Sequence, residues 1–176
     1  MPFTLQQLSD LEDIKLLKHR YFRGIDTGDE ALLATLFTDD VTIDYRGAGY
    51  RAQLEGKAAM LDFIGTAFNS DVIAQHQGHM PEIEFTGPDE ATGLWYLEDR
   101  FIDPVRRTDT IGTALYRDHY VRTDKGWKIA RSEYDRVYET VVPIAPDTIV
   151  GTPMLAKTGR KPEQRVDISG YLTWYD

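Results

Sequence analysis

The chain has 176 residues, 41% of them hydrophobic, no cysteine and a formal net charge of -9. That length suits one domain with a real core, and the absence of thiols excludes disulfides, thiol nucleophiles and cysteine-ligated zinc. The acidic balance carries no basic stripe for a nucleic-acid backbone, and no apolar run approaches the ~18 residues of a membrane span.

The N-terminus, MPFTLQQLSDLEDI, is polar and amphipathic, unlike a signal peptide, so cytoplasmic residence is the default expectation. Leu8, Leu11, Ile14, Leu17, Tyr21 and Ile25 recur at steps of three and four, which predicts a helix from about Ser9 to Gly24. Thr27 to Glu30 fits a capping box, opening a short helix with Leu32, Leu33, Leu36 and Phe37 inward. VTIDYR, Val41 to Arg46, alternates as a strand, and Gly47 and Gly49 mark the turn after it. Gly56 to Phe68 reads as a third helix.

Long strands follow: Val72 to Phe85, kinked around Gly78 to Pro81, then Ala91 to Asp103, Thr110 to Arg122 and Trp127 to Tyr138. Helices before a strand meander give an α+β order, with a curved sheet wrapped on helices as a cone. Residues 1–140 form this domain, and 141–176, with four of the eight prolines, read as an irregular tail over the body or a neighbouring subunit.

Two strands carry candidate chemistry. In IAQHQGHMPEIEF, His76 and His79 occupy strand positions where a packed core prefers aliphatics. In ATGLWYLEDRF, Trp95, Leu97, Asp99 and Phe101 share one face. A carboxylate among Trp, Leu and Phe needs a partner, and His76 on the preceding strand is the natural one. Such an Asp fixes the imidazole tautomer and frees the other nitrogen for proton transfer. A satisfied core His-Asp pair is the plain alternative. Tyr21 and Asp26 lie ~140° apart on an ideal helix, so they share a cavity only if the helix ends near Gly24. Arg136, between Tyr134 and Tyr138, points into the cone or sits on its rim. His76 and His79, three apart in a strand, face opposite ways, which disfavours a shared metal. No nucleotide-binding glycine motif or serine-hydrolase elbow is present.

Together, YFRGID, IDYR, AQHQGHMPEIEF, ATGLWYLEDRF and GWKIARSEYDRVYE resemble the SnoaL-like branch of the NTF2-like superfamily over roughly residues 8–140. Within that branch they resemble the bile-acid 7α-dehydratases and, more distantly, scytalone dehydratase. The resemblance implies an NTF2-like, cystatin-like cone: three N-terminal helices packed in a strongly curved, mixed, mainly antiparallel sheet. It implies a dehydratase needing no cofactor and no metal, which eliminates water from a hydroxylated carbonyl compound. His76 would be the acid-base group, held by Asp99. Tyr21 would hydrogen-bond the developing enolate, and Asp26 and Arg136 would orient Tyr21 or the leaving hydroxyl. Tyr45 matches a pocket tyrosine of scytalone dehydratase, whereas that enzyme's second histidine has no counterpart near Asp99. Tyr45, Trp95, Phe101 and Phe63 would wall the pocket for a small hydrophobic substrate, polycyclic or aromatic. Isomerase, cyclase or hydroxylase chemistry in the same pocket, or plain ligand binding, are the rivals. Relatives assemble as trimers, and Tyr96, Tyr116, Tyr120 and Val121 are candidates for an apolar outer face, so a homo-oligomer is expected, a trimer before a dimer.

Overall fold

In the computed structural model, which describes residues 3–151 and 153–175, three helices are packed against one seven-stranded sheet. Met1, Pro2, Thr152 and Asp176, at the edges of the N-terminal and tail readings, lie outside the described residues. The architecture is α+β, as the order of the elements predicts.

Helix α1 (Leu5–Thr27) is longer at both ends than its apolar period indicates. Thr4 caps it, accepting from the Gln7 backbone N–H while the Gln7 side chain accepts from the Thr4 N–H. Gly28 ends it at φ +64°, a conformation glycine adopts without strain. The capping box expected at Thr27 to Glu30 does not form. Thr27 is still helical, and Asp29 caps α2 (Glu30–Ala34) by accepting from the Leu32 N–H at 2.9 Å. Ile14, Leu17, Tyr21, Phe22 and Ile25 are the buried apolar stripe of α1, whereas Leu8 is exposed.

The strands are β1 (Phe37–Arg46), β2 (Tyr50–Glu55), β3 (Ile73–Phe85), β4 (Glu90–Asp103), β5 (Thr108–Thr123), β6 (Gly126–Pro143) and β7 (Leu172–Trp174), with α3 (Lys57–Ala67) between β2 and β3. Their order is β3-β4-β5-β6-β1-β2-β7, antiparallel except for the β1–β6 pair. Strand β2, YRAQLE, escaped the sequence reading because its polar residues hide the alternation; Ala52 and Leu54 are its buried pair. The expected kink in β3 is a register shift between His79 and Glu82, where Met80 takes φ +45° ahead of Pro81. Bulges of this kind bend a strand and increase its twist.

The C-terminal segment lies on its own chain. Leu155, in α4 (Leu155–Thr158), is buried with Val72 and Ala74. Arg160 reaches Glu30 at 2.6 Å and Asp62 at 2.9 Å, tying α2 to α3, and β7 pairs with β2. Among the described residues no helix is long and apolar enough to cross a membrane. Tyr116 and Tyr120, expected on the outer sheet face, are buried inside at 3% and 0% exposure. Strand β5 alternates with Ala114, Tyr116, Asp118 and Tyr120 all inward, whereas Tyr96 of β4 is exposed and Val121 is half-buried.

Candidate active site

Between α1, α3 and the concave sheet lies an enclosed cavity of about 80 Å³. Its wall includes Tyr21, Tyr45, Phe63, His76, Asp99 and Arg136 from the expected set. Apolar residues of α3 supply one side, Tyr21 and Ile25 of α1 another, and inward positions of β1 to β6 supply the rest.

His76 does not pair with Asp99. Its Nδ1 lies 2.6 Å from Asp26 Oδ1, and its backbone N–H donates to Asp26 Oδ2 at 2.9 Å. One carboxylate at the last turn of α1 thus fixes both the strand and the ring. With the Asp26 carboxylate as acceptor, Nδ1 is the donor, so in the neutral ring the lone pair sits on Nε2. Phe22 stacks on the imidazole with centroids 6.0 Å apart and planes 8° off parallel, and Phe68 meets it edge-on at 5.2 Å. Gly78 makes room for this arrangement: a Cβ there would come within 2.4 Å of the Phe22 ring.

Asp99 stands directly opposite His76 in the β3–β4 register, as the alternation requires, but it is taken by Arg136. The guanidinium donates from Nη1 at 2.5 Å and Nη2 at 3.1 Å, and both side chains are about nine-tenths buried. A forked, permanently charged donor matches a carboxylate better than an imidazole can, so the expected His76–Asp99 pair gives way to two separate pairs. Burial alone would lower the Arg136 pKa; the Asp99 carboxylate outweighs it and holds the group above the ordinary guanidinium range. Asp26 does not orient Tyr21, because α1 continues past Gly24 and carries the two side chains apart.

Tyr21 instead shares a hydrogen bond with Tyr45, 2.8 Å between oxygens. Burial pushes the pKa of both phenols well above the ordinary value, so both are protonated at neutral pH. Trp95 and Phe101 do not wall the cavity. Trp95 is fully buried deeper in the core, donating from Nε1 to Tyr120 at 2.9 Å, and Phe101 packs on Phe68 outside the chamber. His79 is part-exposed, 3.7 Å from Glu98, on the face away from His76.

The family model described as the SnoaL-like domain matches residues 6–133. The chain belongs to the SnoaL-like family. Solved structures share the fold. A hexachlorocyclohexane dehydrochlorinase type 2 superposes with a TM-score of 0.72 at 23% identity, over 82% of this chain and 99% of that one. A candidate scytalone dehydratase from Novosphingobium aromaticivorans gives 0.69 at 21%, over 84% and 93%. An NTF2-like protein with a cystatin-like fold, also from N. aromaticivorans, gives 0.64 at 25%, over 76% and 85%.

Sequence reasoning missed three tyrosines of this SnoaL-like chamber: Tyr50, Tyr116 and Tyr134. Tyr50 lies on the unrecognised β2, and its hydroxyl bonds that of Tyr134. Tyr116 was findable, since it alternates with Ala114 and Asp118 on β5. Lys18 was findable too: it falls on the apolar stripe of α1, between Ile14 and Tyr21, and is fully buried.

Proposed function

We propose that this protein is a lyase that removes water from a hydroxylated carbonyl compound, with His76 as its acid-base group and Asp26 as the carboxylate that holds it. The carrying observation is the 2.6 Å contact between His76 Nδ1 and Asp26, with the same imidazole forming part of the chamber wall. The Nε2 lone pair takes the proton on the carbon beside the carbonyl. The pair of the broken C–H bond stays on carbon, delocalised into the carbonyl as an enolate, and forms the carbon-carbon double bond as the C–O pair leaves with oxygen. The imidazolium returns the proton to that oxygen, which departs as water. Positioned acid-base groups of this kind supply ~10²- to 10⁴-fold. The hydroxyls of Tyr21 and Tyr45 stabilise charge on the enolate oxygen. Arg136, paired with Asp99 through Nη1 and Nη2 and 3.3 Å from Glu139 at Nε, lines the chamber and would face a polar end of the substrate.

The names of two structural neighbours, a dehydrochlorinase and a candidate scytalone dehydratase, support elimination as the reaction class. The size of the chamber favours a compact cyclic substrate over a polycyclic one. About 80 Å³ is well below the ~150 Å³ that holds a benzene ring, so even one ring needs Phe68 or α3 to shift. The test is a panel of cyclic β-hydroxyketones of increasing size, followed by the rise of enone absorbance. Enone formation by the parent protein and its loss in His76→Ala are expected. Binding without turnover across the panel would refute the lyase reading.

A further inference from the structure

Behind the tyrosine pair lies a buried polar chain that the proposed reaction does not use. Lys18 Nζ sits 2.7 Å from Asp118 Oδ2, and both side chains are wholly inaccessible. The ammonium is off the hydrogen-bonding directions of the carboxylate, and it also sits against the rings of Tyr116 at 3.6 Å, Tyr21 at 4.6 Å and Phe22 at 5.1 Å. Asp118 accepts from Tyr120 at Oδ2 and from Ser132 at Oδ1, each at 2.7 Å. Ser132 Oγ in turn accepts from the Tyr45 hydroxyl at 3.3 Å.

Proton bookkeeping along this chain leaves one arrangement. A carboxylate beside an ammonium is acceptor-only, so the single Ser132 proton points at Asp118. Ser132 oxygen then accepts the Tyr45 proton, and Tyr45 oxygen accepts the Tyr21 proton. We propose that Lys18, Asp118 and Ser132 are positioning residues that set a two-position proton switch on the Tyr21–Tyr45 pair. With the chamber empty, both phenol protons point inward along the chain, and the Tyr21 oxygen faces the chamber as an acceptor. When negative charge develops in the chamber, the 3.3 Å Tyr45–Ser132 link breaks, being the longest in the chain. Tyr45 then donates to Tyr21, and Tyr21 donates to the oxyanion. No bond to carbon changes and no proton leaves its oxygen; two hydroxyls rotate.

The first measurement needs no substrate. In protein carrying ¹³Cζ-tyrosine, with Tyr21 and Tyr45 assigned through their phenylalanine variants, Ser132→Ala is expected to shift both resonances. Ser132→Thr, which restores a hydroxyl, is expected to return them. Ser132 does not touch Tyr21, so a merely structural serine would leave the Tyr21 signal in place. An unmoved Tyr21 resonance in a folded Ser132→Ala protein would overturn the switch. The second measurement rests on the reaction-chamber reading and uses 4-nitrophenol as an oxyanion probe, its colour reporting the bound phenolate. Ser132→Ala no longer has the Tyr45 link to break, so it is expected to bind the phenolate about 3- to 10-fold tighter. Equal or weaker binding than the parent would overturn the proposal. Failure of the parent to bind the probe would count against the chamber reading, and the tyrosine resonances alone would then decide the switch.

Discussion

Asp26 and Asp99 divide two tasks by their partners. Asp26 is partly exposed and holds an imidazole; Asp99 is buried against a guanidinium. Asp26→Asn is therefore expected to cut turnover by about 10²-fold or more while the melting temperature barely moves, because an amide can present the wrong group to Nδ1. Asp99→Asn takes the bidentate partner from the buried Arg136, leaving only the more exposed Glu139 carboxylate 3.3 Å from Nε, and is expected to cost about 3 kcal/mol in denaturant unfolding. The reverse pattern would mean that Asp99 is the histidine's partner. The sequence made the shared face of His76 and Asp99 legible, since two-residue alternation needs no tertiary knowledge. It did not make the pairing legible. That choice depends on Arg136 arriving from β6 and on α1 running one turn further than its apolar period, which brings Asp26 to the β3 backbone.

At the scale of elements, periodicity revealed the helices and the long strands, and failed where polar residues or tertiary pairing decide. YRAQLE is a strand because β1 and β7 flank it, not because its own pattern demands one. The C-terminal segment has little period, yet it is anchored by one apolar plug and several ion pairs. Leu155 is 1% exposed, so Leu155→Ala is expected to destabilise the protein by about 2 to 5 kcal/mol. Arg160→Ala removes two partly exposed carboxylate contacts and should cost less, about 1 to 2 kcal/mol. Urea unfolding of both variants checks the order; an Arg160 effect larger than that of Leu155 would show that the ion pairs are the main anchor.

The whole molecule carries an unusual load of buried phenols. Burial raises the pKa of Tyr21, Tyr45, Tyr50, Tyr116, Tyr120 and Tyr134. A tyrosine with a raised folded pKa contributes fully below its unfolded value, ~10, and loses that contribution as pH rises beyond it. Each such group changes stability by about 1.4 kcal/mol per pH unit in that window. Lys18 and Lys128, lowered chiefly by burial, work in the opposite sense, but their window closes near the unfolded lysine value, ~10.5, above which the six tyrosines act alone. The melting temperature should hold to about pH 10 and then fall steeply, with most tyrosinate absorbance appearing only on unfolding. Full tyrosinate absorbance near pH 10 from a folded protein would contradict this. Tyr96 of β4 is exposed as expected, and with Tyr116 and Tyr120 buried, the exposed apolar residues near the end of β6 are Val137, Tyr138, Val141 and Val142. We propose that they mark a homo-oligomer, a trimer before a dimer. Light scattering should give a multiple of 20.1 kDa, and a mass of one chain would refute it.

The central claim is that Asp26 holds His76 so that Nε2 faces the chamber unprotonated. The ¹⁵N spectrum of the His76 imidazole at neutral pH tests it without a substrate. Protonated Nδ1 and bare Nε2 are expected in the parent and in a folded Asp99→Asn protein, with that tautomer preference lost in Asp26→Asn. A proton on Nε2 in the parent, or a tautomer that responds to Asp99→Asn and ignores Asp26→Asn, would contradict the account.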